Sequence, residues 1–349
     1  MKAAVYEGIE KITVREVPDP SVSPDYPLKI RVDACAICGS DVRTYHHGKS
    51  NVVPPQIIGH EVAGTVVEVL EGFESPFAPG DRVTVAAVVS CGECYYCRRG
   101  IQNRCENFTA IGYEHPGGFA QYMVVPAKMV LDGSVNRIPD HVEAKHACIA
   151  EPLACVINGQ ELSGVGLGQS VVIIGAGPIG CMHVALAKAL GATKVILCEV
   201  SQPRLEMAKA FGADVYINPA NEDAVRRVRE ETEGRGADVV IVAAPSGPAQ
   251  EQALKMAAKR GRVNFFGGLP KDKPTITLDS NLVHYNELFV HGAADSTPRQ
   301  NRIAAELIAS GRINARALVT HTVPLEGITE GIGIVERGEG LKVVVEPWS

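Results

Sequence analysis

Short apolar runs separated by glycine and proline dominate roughly the first 155 residues. The runs are rich in valine and isoleucine, which favour extended backbone, and the glycines and prolines between them favour turns. This pattern predicts a β-rich domain with many turns. Its clearest strands have the sequences LKIRVDACAI, EVAGTVVEVL, DRVTVAAVV and FAQYMVV.

The pattern changes at Gln169, where apolar runs begin to alternate with segments of helical periodicity. Apolar strands that alternate with amphipathic helices are typical of a parallel sheet with helices on both faces. The predicted helices span residues 178–190, 203–211, 222–232 and 248–258. The predicted strands have the sequences SVVIIG, TKVILCEV, ADVYINP, ADVVIVAA, RVNFFGG and NELFVHGA.

The last part of the chain, from about residue 295, returns to mixed content. It contains a predicted helix over 299–310 and a final strand, GLKVVVEP. An α/β unit inserted between two pieces of a β-rich domain accounts for this order. We therefore predict a β-rich domain of residues 1–155, completed by residues 295–349, and an α/β domain of residues 156–294.

Composition narrows the class of protein. The chain has 349 residues, 46% of them hydrophobic, which suits about two domains with sizeable cores. Its net charge is −6 and it has no basic block, which argues against nucleic acid as a partner. The longest apolar stretches, such as 83–89, are too short to span a membrane, and the N-terminal residues do not resemble a signal peptide. We expect a cytoplasmic protein without a membrane partner.

Four of the ten cysteines, Cys91, Cys94, Cys97 and Cys105, fall within fifteen residues. In a reducing compartment such clustering indicates a metal site. Four thiolates close a tetrahedron around zinc and leave no open position, so the predicted site is structural. An iron–sulfur cluster is the alternative, because four thiolates also bind iron, although Glu106 stands where a bacterial ferredoxin motif has proline.

A glycine motif follows the first strand of the α/β domain and opens its first helix. Glycines at this place permit a tight turn and close approach of the backbone to a pyrophosphate, which faces the helix N-terminus. The motif predicts a dinucleotide site. Its residues are Gly175, Gly177, Pro178, Ile179 and Gly180.

Glu199 ends the second strand of the same domain, nineteen residues after Gly180. A carboxylate there binds the ribose hydroxyls and repels a 2′-phosphate, so it favours NAD. Ser201 and Arg204 follow closely, and Arg204 keeps NADP open as the alternative.

A third set of residues is scattered: Cys38, His60, Glu61 and Glu151. A thiolate, an imidazole and carboxylates form a zinc set that can leave a position for substrate oxygen. Spacing alone does not join these residues, and each one by itself is more typical of a core or surface position.

Several motifs together resemble the zinc-containing medium-chain dehydrogenase/reductase family, and within it the polyol dehydrogenases, which resemble sorbitol dehydrogenase. The motifs are CGSD at 38–41, GHE at 59–61, PGDRV at 79–83, the cysteine cluster, EPL at 151–153 and the glycine motif. The resemblance covers nearly the whole chain. It implies a GroES-like catalytic domain and a Rossmann domain, a doubly wound parallel sheet, with the active site in the cleft.

The resemblance also implies site roles. Cys38 and His60 resemble ligands of a catalytic zinc, Glu61 can also ligate, and Glu151 binds the metal directly or through a water. Ser40 matches the hydroxyl that begins the proton relay from the alcohol. Classical alcohol dehydrogenases have cysteine in place of Glu151, so this glutamate favours the polyol or threonine enzymes.

Two positions depart from the family pattern. Arg43 and Asn158 stand where the family often has histidine. The motifs therefore do not identify the residue at the outer end of the relay. The candidates for it are Tyr45, His46 and His47. The residues after the RVNFF strand, Gly267, Gly268 and Leu269, should lie near the nicotinamide, because ligands bind at that edge of a parallel sheet.

The sequence therefore predicts a zinc- and NAD-dependent dehydrogenase of a polyol, cyclitol or sugar-derived secondary alcohol, with two zinc ions per chain. The family suggests a homo-oligomer, a dimer or a tetramer. L-Threonine 3-dehydrogenase is the alternative enzyme, since it shares the CGxD, GHE and EP motifs. A non-catalytic nucleotide-binding or structural protein and a zinc-ribbon nucleic-acid binder are alternatives of other classes.

Overall fold

The computed structural model describes residues 1–349 and divides into two compact units. The first unit comprises residues 1–154 and 295–349, and the second comprises residues 155–294. No helix in the structure is both long and apolar enough to cross a lipid bilayer.

The chain forms eighteen strands and twelve α-helices. The strands are β1 (Lys2–Gly8), β2 (Lys11–Glu16), β3 (Leu28–Ala36), β4 (Gln56–Ile57), β5 (Glu61–Val69), β6 (Arg82–Val85), β7 (Val88–Val89), β8 (Thr109–Ala110), β9 (Tyr122–Val125), β10 (Val135–Arg137), β11 (Ser170–Ile174), β12 (Lys194–Cys198), β13 (Val215–Ile217), β14 (Ala237–Val242), β15 (Ala257–Phe265), β16 (Phe289–Gly292), β17 (Val319–Val323) and β18 (Lys342–Val345). The helices are α1 (Gly39–His47), α2 (Ala127–Leu131), α3 (Ala144–Ala147), α4 (Ala150–Ser163), α5 (Pro178–Ala189), α6 (Gln202–Ala208), α7 (Ala224–Glu231), α8 (Gly247–Met256), α9 (Ser280–Tyr285), α10 (Pro298–Ala309), α11 (Ala315–Leu318) and α12 (Ile328–Arg337).

The first unit is built on a seven-stranded sheet. Its strand order is β10-β6-β5-β3-β18-β17, and β9 also pairs with β3. The C-terminal strand β18 thus lies directly beside β3, which forms near the start of the chain. Alternate side chains of β3, including Leu28, Ile30 and Val32, are buried in the core of this unit.

The second unit contains a six-stranded parallel sheet in the order β13-β12-β11-β14-β15-β16. Numbered from β11, this is the 3-2-1-4-5-6 order of a doubly wound dinucleotide-binding fold. Every residue of β11 is buried, as expected for a strand covered on both faces.

Several elements differ from the sequence expectations. The C-terminal segment, for which one helix was predicted, contains a second long helix, α12. Helix α4 was not predicted. It crosses the expected domain boundary at residue 155, and because it is buried along nearly its whole length it has no polar face and no amphipathic period. Helix α8 ends at Met256, before the predicted end at residue 258, because Ala257 joins β15 and pairs with Ala237. Helix α6 ends at Ala208, and residues 209–211 form a 3-10 turn.

Candidate active site

Two neighbouring strands of the first unit bring Cys38 and His60 together. Strand β3 ends at Ala36, β5 begins at Glu61, and these two residues are paired across the antiparallel ladder. The residues that follow β3 and those that precede β5 therefore meet at one edge of the sheet. The ligand atoms of Cys38, His60 and Glu61 all lie within 4.8 Å of one another. A thiolate, an imidazole and a carboxylate at this spacing form a donor set that suits zinc.

Asp41 lies against both the backbone of Cys38 and the imidazole of His60. It lies buried in the first turn of α1, where its Oδ2 accepts a hydrogen bond from the backbone N–H of Cys38 at 2.9 Å. Its Oδ1 lies 3.6 Å from Nδ1 of His60, a buried nitrogen with no hydrogen-bond partner at normal distance. Nδ1 therefore faces Asp41, and Nε2 is the ring atom left for a metal. A carboxylate behind a ligating histidine is common in zinc sites. Asp41 is part of the CGSD motif, but the sequence does not show that it faces His60.

Glu61 is paired with a lysine from the other end of the chain. Its carboxylate is fully buried, and both of its oxygens accept hydrogen bonds from Nζ of Lys342 in β18, the one to Oε2 at 2.5 Å. The same ammonium donates to the carbonyl of Ile37 at 3.3 Å. Lys342 lies in the GLKVVVEP segment, but nothing in that run of apolar residues marks its lysine as part of a site.

Glu151 lies outside the group formed by Cys38, His60 and Glu61. It occupies the first turn of α4 and is buried. Burial raises the pKa of Glu151 to about 7; His60 opposes this shift and the negative charge of Glu61 adds to it. The structure thus brings together three of the four expected catalytic ligands, with the fourth close enough to share their electrostatic environment.

Ser40 has a side-chain partner that the sequence did not predict. The hydroxyl of Tyr113 donates to Oγ of Ser40 at 3.0 Å, and the Tyr113 ring stacks on that of His60 with 5.4 Å between centroids. Burial raises the pKa of Tyr113 to about 12, so its phenol remains protonated near neutral pH.

The residues at the possible outer end of the relay either contact other groups or are exposed to solvent. The ring nitrogens of His46 lie 3.3 Å from Glu10 and 3.2 Å from Glu336, at the surface. Arg43 and His47 are exposed. Tyr45 is half-buried against the core, and Asn158 donates to the carbonyl of Ala294 at 3.3 Å within the second unit.

The cysteine cluster forms a compact set of four sulfurs within 4.8 Å of one another. The Cys91–Cys97 and Cys94–Cys105 sulfurs are 3.9 Å apart, and all ten cysteines are free of disulfides. A tetrahedron with zinc–sulfur bonds of about 2.3 Å has edges of about 3.8 Å, so the set fits a zinc ion. Backbone N–H groups of residues 93 and 94 lower the pKa of Cys91 to about 6, which favours the thiolate.

The glycine motif joins β11 to α5 in the second unit. Gly175 has a φ of +108°, and a Cβ on Gly180 would lie 1.8 Å from the carbonyl oxygen of Gly175, so both positions require glycine. A Cβ on Gly177 would meet no atom within 4 Å, which leaves open space for a ligand. Pro178 and Ile179 begin α5.

Glu199 follows β12 and reaches the same loop. Its Oε2 accepts from the N–H of Ala176 at 2.8 Å, and its Oε1 accepts from the N–H of Ser201 at 2.9 Å. Arg204 is half-buried on α6 and makes no ion pair. The arrangement fixes a carboxylate beside the turn that would hold a pyrophosphate.

Gly267, Gly268 and Leu269 follow β15, at the carboxyl edge of the parallel sheet. A Cβ on Gly267 would lie 2.6 Å from the carbonyl oxygen of Ala244, whereas one on Gly268 would meet nothing within 4 Å. This edge is where doubly wound folds bind their ligands.

Comparison with known proteins accounts for both units. The model of the alcohol dehydrogenase GroES-like domain matches residues 25–140, and that of the zinc-binding dehydrogenase matches residues 178–310. The chain is 37% identical to an L-threonine 3-dehydrogenase of Pyrococcus abyssi over 350 residues, with 99% of this chain and 97% of the relative covered. The chain belongs to the zinc-containing medium-chain dehydrogenases. This confirms the resemblance noted from the motifs and the predicted fold class, a GroES-like domain with a doubly wound α/β domain.

Two further dehydrogenases are similar to this chain, one compared by sequence and one by structure. A sorbitol dehydrogenase of Halalkalibacterium halodurans is 32% identical over 351 residues, with 99% of each chain covered. The crystal structure of a zinc-binding dehydrogenase from Sinorhizobium meliloti, bound to NADP, superposes with a TM-score of 0.92 at 34% identity and covers 99% of both chains. The chain is therefore an oxidoreductase of the zinc-type alcohol dehydrogenase family.

Proposed function

We propose that this dehydrogenase oxidises a secondary alcohol of a polyol, cyclitol or sugar derivative, with NAD as the hydride acceptor and zinc as the catalytic metal. The observation that carries the proposal is the convergence of Cys38, His60 and Glu61 within 4.8 Å, with Ser40 two residues after Cys38 at the start of α1. Glu151, rather than cysteine, accompanies this group, as expected for the polyol enzymes and equally for the threonine enzymes.

Each residue of the site has a separate role in the proposed reaction. Cys38 and His60 would hold the ion, Asp41 would fix the imidazole, and the carboxylates of Glu61 and Glu151 would complete or exchange in the coordination shell. Zinc bound there supplies a Lewis acid that lowers the pKa of the substrate hydroxyl. Ser40 would take the substrate proton, and NAD would supply the acceptor for the hydride of the carbinol carbon. Gly267, Gly268 and Leu269 would border the nicotinamide.

A second zinc would occupy the four-cysteine cluster. The sulfur separations support a closed tetrahedral site, which has no position for water or substrate. Its role would be to hold residues 91–105 in their fold, and the closed thiolate set gives it no part in the reaction.

The choice of NAD rests on Glu199. Its carboxylate is held beside the glycine loop by two backbone N–H groups, where it would meet the ribose hydroxyls and repel a 2′-phosphate. The Sinorhizobium relative was crystallised with NADP, and Arg204 could accept a phosphate, so NADP is the alternative to be measured alongside.

L-Threonine is the second candidate substrate. It is favoured by one specific observation, since four archaeal relatives named L-threonine 3-dehydrogenase are 35–37% identical over 99% of this chain. Threonine carries an ammonium and a carboxylate beside its secondary alcohol, whereas polyols and cyclitols are uncharged, so the two classes make different demands on the pocket.

A panel of alcohols with both cofactors tests the proposal. Zinc-loaded enzyme is assayed for NADH and NADPH formation with sorbitol, xylitol, myo-inositol, a uronate-derived alcohol and L-threonine. We expect the highest kcat/KM with a polyol, cyclitol or sugar-derived alcohol and NAD. A higher kcat/KM with L-threonine transfers the assignment to the second candidate, and no turnover with any alcohol overturns both.

A further inference from the structure

We propose that Tyr113 is the next member of the proton path after Ser40: it holds the Ser40 hydroxyl in position and receives its proton during alcohol oxidation. The inference rests on the proposed function, because it extends the route by which the substrate proton leaves. Tyr113 thus takes the place in the proton relay for which Tyr45, His46 and His47 were the candidates from the sequence.

Backbone contacts fix the loop that carries Tyr113. This residue follows β8 in a loop where Gly112 has a φ of +77°, and a Cβ on Gly112 would lie 2.9 Å from the carbonyl oxygen of Gly59. The loop backbone thus packs directly on the residue before His60. The side-chain amide of Gln56 donates to the Tyr113 carbonyl at 2.5 Å, which fixes the loop from a second direction.

The phenol end of the ring is equally well defined. The hydroxyl of Tyr113 donates to Oγ of Ser40 at 3.0 Å, a normal hydrogen bond, and Tyr113 is the side chain that bonds to this oxygen. The ring stacks on His60 and the Nζ of Lys49 lies 3.4 Å from its centroid. Only 9% of Tyr113 is exposed, so its hydroxyl is placed by packing.

The two hydroxyls can pass a proton without gaining or losing charge. The observed hydrogen bond, in which Tyr113 donates to Ser40, is the arrangement that serves reduction. For oxidation the two hydroxyl hydrogens turn so that Ser40 donates to Tyr113. The substrate O–H bond then breaks as a new O–H bond forms on Ser40, the original Ser40 proton moves to the Tyr113 oxygen, and the original Tyr113 proton passes to water. The electron pair of the carbinol C–H bond leaves with the hydride and reduces the nicotinamide, so the alcohol becomes a ketone. Ser40 and Tyr113 are unchanged at the end, and the reverse sequence serves reduction.

Tyr113 acts through Ser40 and is therefore a positioning residue rather than one that touches the substrate. Three variants separate this role from its rivals. Tyr113→Phe removes the hydroxyl and keeps the ring on His60. Tyr45→Phe removes the rival phenol on α1. Tyr122→Phe, in β9, is the matched control, because it removes a phenol from the same unit at a residue outside the site.

The variants are compared with the wild type and with Ser40→Ala on the best alcohol of the panel. We expect Tyr113→Phe to lower kcat roughly 10- to 100-fold, to leave KM for NAD unchanged and to raise the solvent deuterium isotope effect on kcat. Zinc content and the melting temperature should stay at the wild-type values, which shows that the loss is not structural. The double variant with Ser40→Ala should lose no more than the larger single loss, because both residues belong to one path.

Three outcomes overturn the inference. They are a Tyr113→Phe enzyme with kcat within twofold of the wild type, single losses that multiply in the double variant, and a loss of the same size in Tyr45→Phe. A wild-type enzyme that turns over no alcohol is a different failure: it overturns the proposed function and the role of Tyr113 with it.

Discussion

The ammonium of Lys342 lies against both carboxylate oxygens of Glu61, 281 residues away along the chain. Both side chains are almost completely buried, at 4% and 0% exposure. A buried ion pair costs desolvation when it forms, and removal of one partner leaves a charge without compensation. The pair therefore makes the stability of the first unit depend on a residue that also borders the candidate metal centre.

We expect Lys342→Met to lower the free energy of unfolding by about 3–5 kcal/mol, because Glu61 loses its counter-ion in a dry site. The measurement is urea unfolding. The matched control is Lys2→Met, which breaks the exposed 2.8 Å pair with Glu326 and should lower the free energy of unfolding far less, because water screens that pair. The double variant Lys342→Met with Glu61→Gln should recover part of the loss. Equal losses in Lys342→Met and Lys2→Met would contradict the prediction.

Two zinc ions per chain with unequal lability are expected. The Cys38 site is open and the four-cysteine site is closed, so a chelator should remove the first ion well before the second. Metal analysis during stepwise EDTA treatment measures both. Cys38→Ser should lose one zinc and keep its fold, whereas Cys105→Ser should lose the other and melt at a lower temperature, because metal binding there is folding energy. A single zinc, or iron with visible absorbance, would refute the assignment.

Replacing Glu199 should change the cofactor preference. Glu199→Ala removes both the charge and the hydrogen bonds to Ala176 and Ser201. Glu199→Gln removes the charge but keeps an acceptor oxygen, so it separates repulsion of the 2′-phosphate from support of the loop. We expect kcat/KM with NADP to rise relative to NAD in both variants, and NAD binding to weaken more in Glu199→Ala. A wild-type enzyme that uses NADP as well as NAD would show that Glu199 does not select the cofactor.

His183 should make the protein less stable in acid. It is fully buried on α5, where burial lowers its pKa to about 3, and its Nδ1 lies 3.2 Å from the amide nitrogen of Gln160. Between about pH 6.5 and pH 3 the unfolded chain binds a proton at His183 that the folded chain does not. Stability should therefore fall by up to about 1.4 kcal/mol per pH unit in that window as the pH decreases.

Urea unfolding of His183→Gln at pH 6.5, 5.5 and 4.5 measures this contribution. The variant should lose stability less steeply than the wild type as the pH is lowered. His284→Gln, an exposed histidine of the same unit, is the control and should follow the wild type. Identical slopes for His183→Gln and the wild type would rule out the linkage.

Local signals were sufficient for much of the fold. The turn after β11 needs glycines with special geometry, and Cys91 to Cys105 lie close in sequence, so both could be recognised from neighbouring residues alone. The alternation of strands and helices likewise predicted the parallel sheet. Helix α4 could not be predicted, because a helix that is buried on nearly all sides has no amphipathic period.

The side-chain partners of the site could not be predicted in this way. Asp41 and His60, Ser40 and Tyr113, and Glu61 and Lys342 are joined by strand register and loop packing between distant segments. Each residue alone is ordinary for its position. Such pairs become visible only when the chain is folded, since no local pattern states which distant side chain will face a buried carboxylate or hydroxyl.

The pairing of β18 with β3 also sets an order of events on the ribosome. Glu61 is synthesised early, whereas its counter-ion at Lys342 is added only after all six strands of the second unit have been made. A nascent chain therefore has the complete sequence of its nucleotide-binding sheet while Glu61 still lacks its buried partner. A premature stop codon anywhere before codon 342 removes that partner and the strand beside β3 together. Loss of β18 thus affects a candidate site whose residue Glu61 was synthesised 281 residues before Lys342.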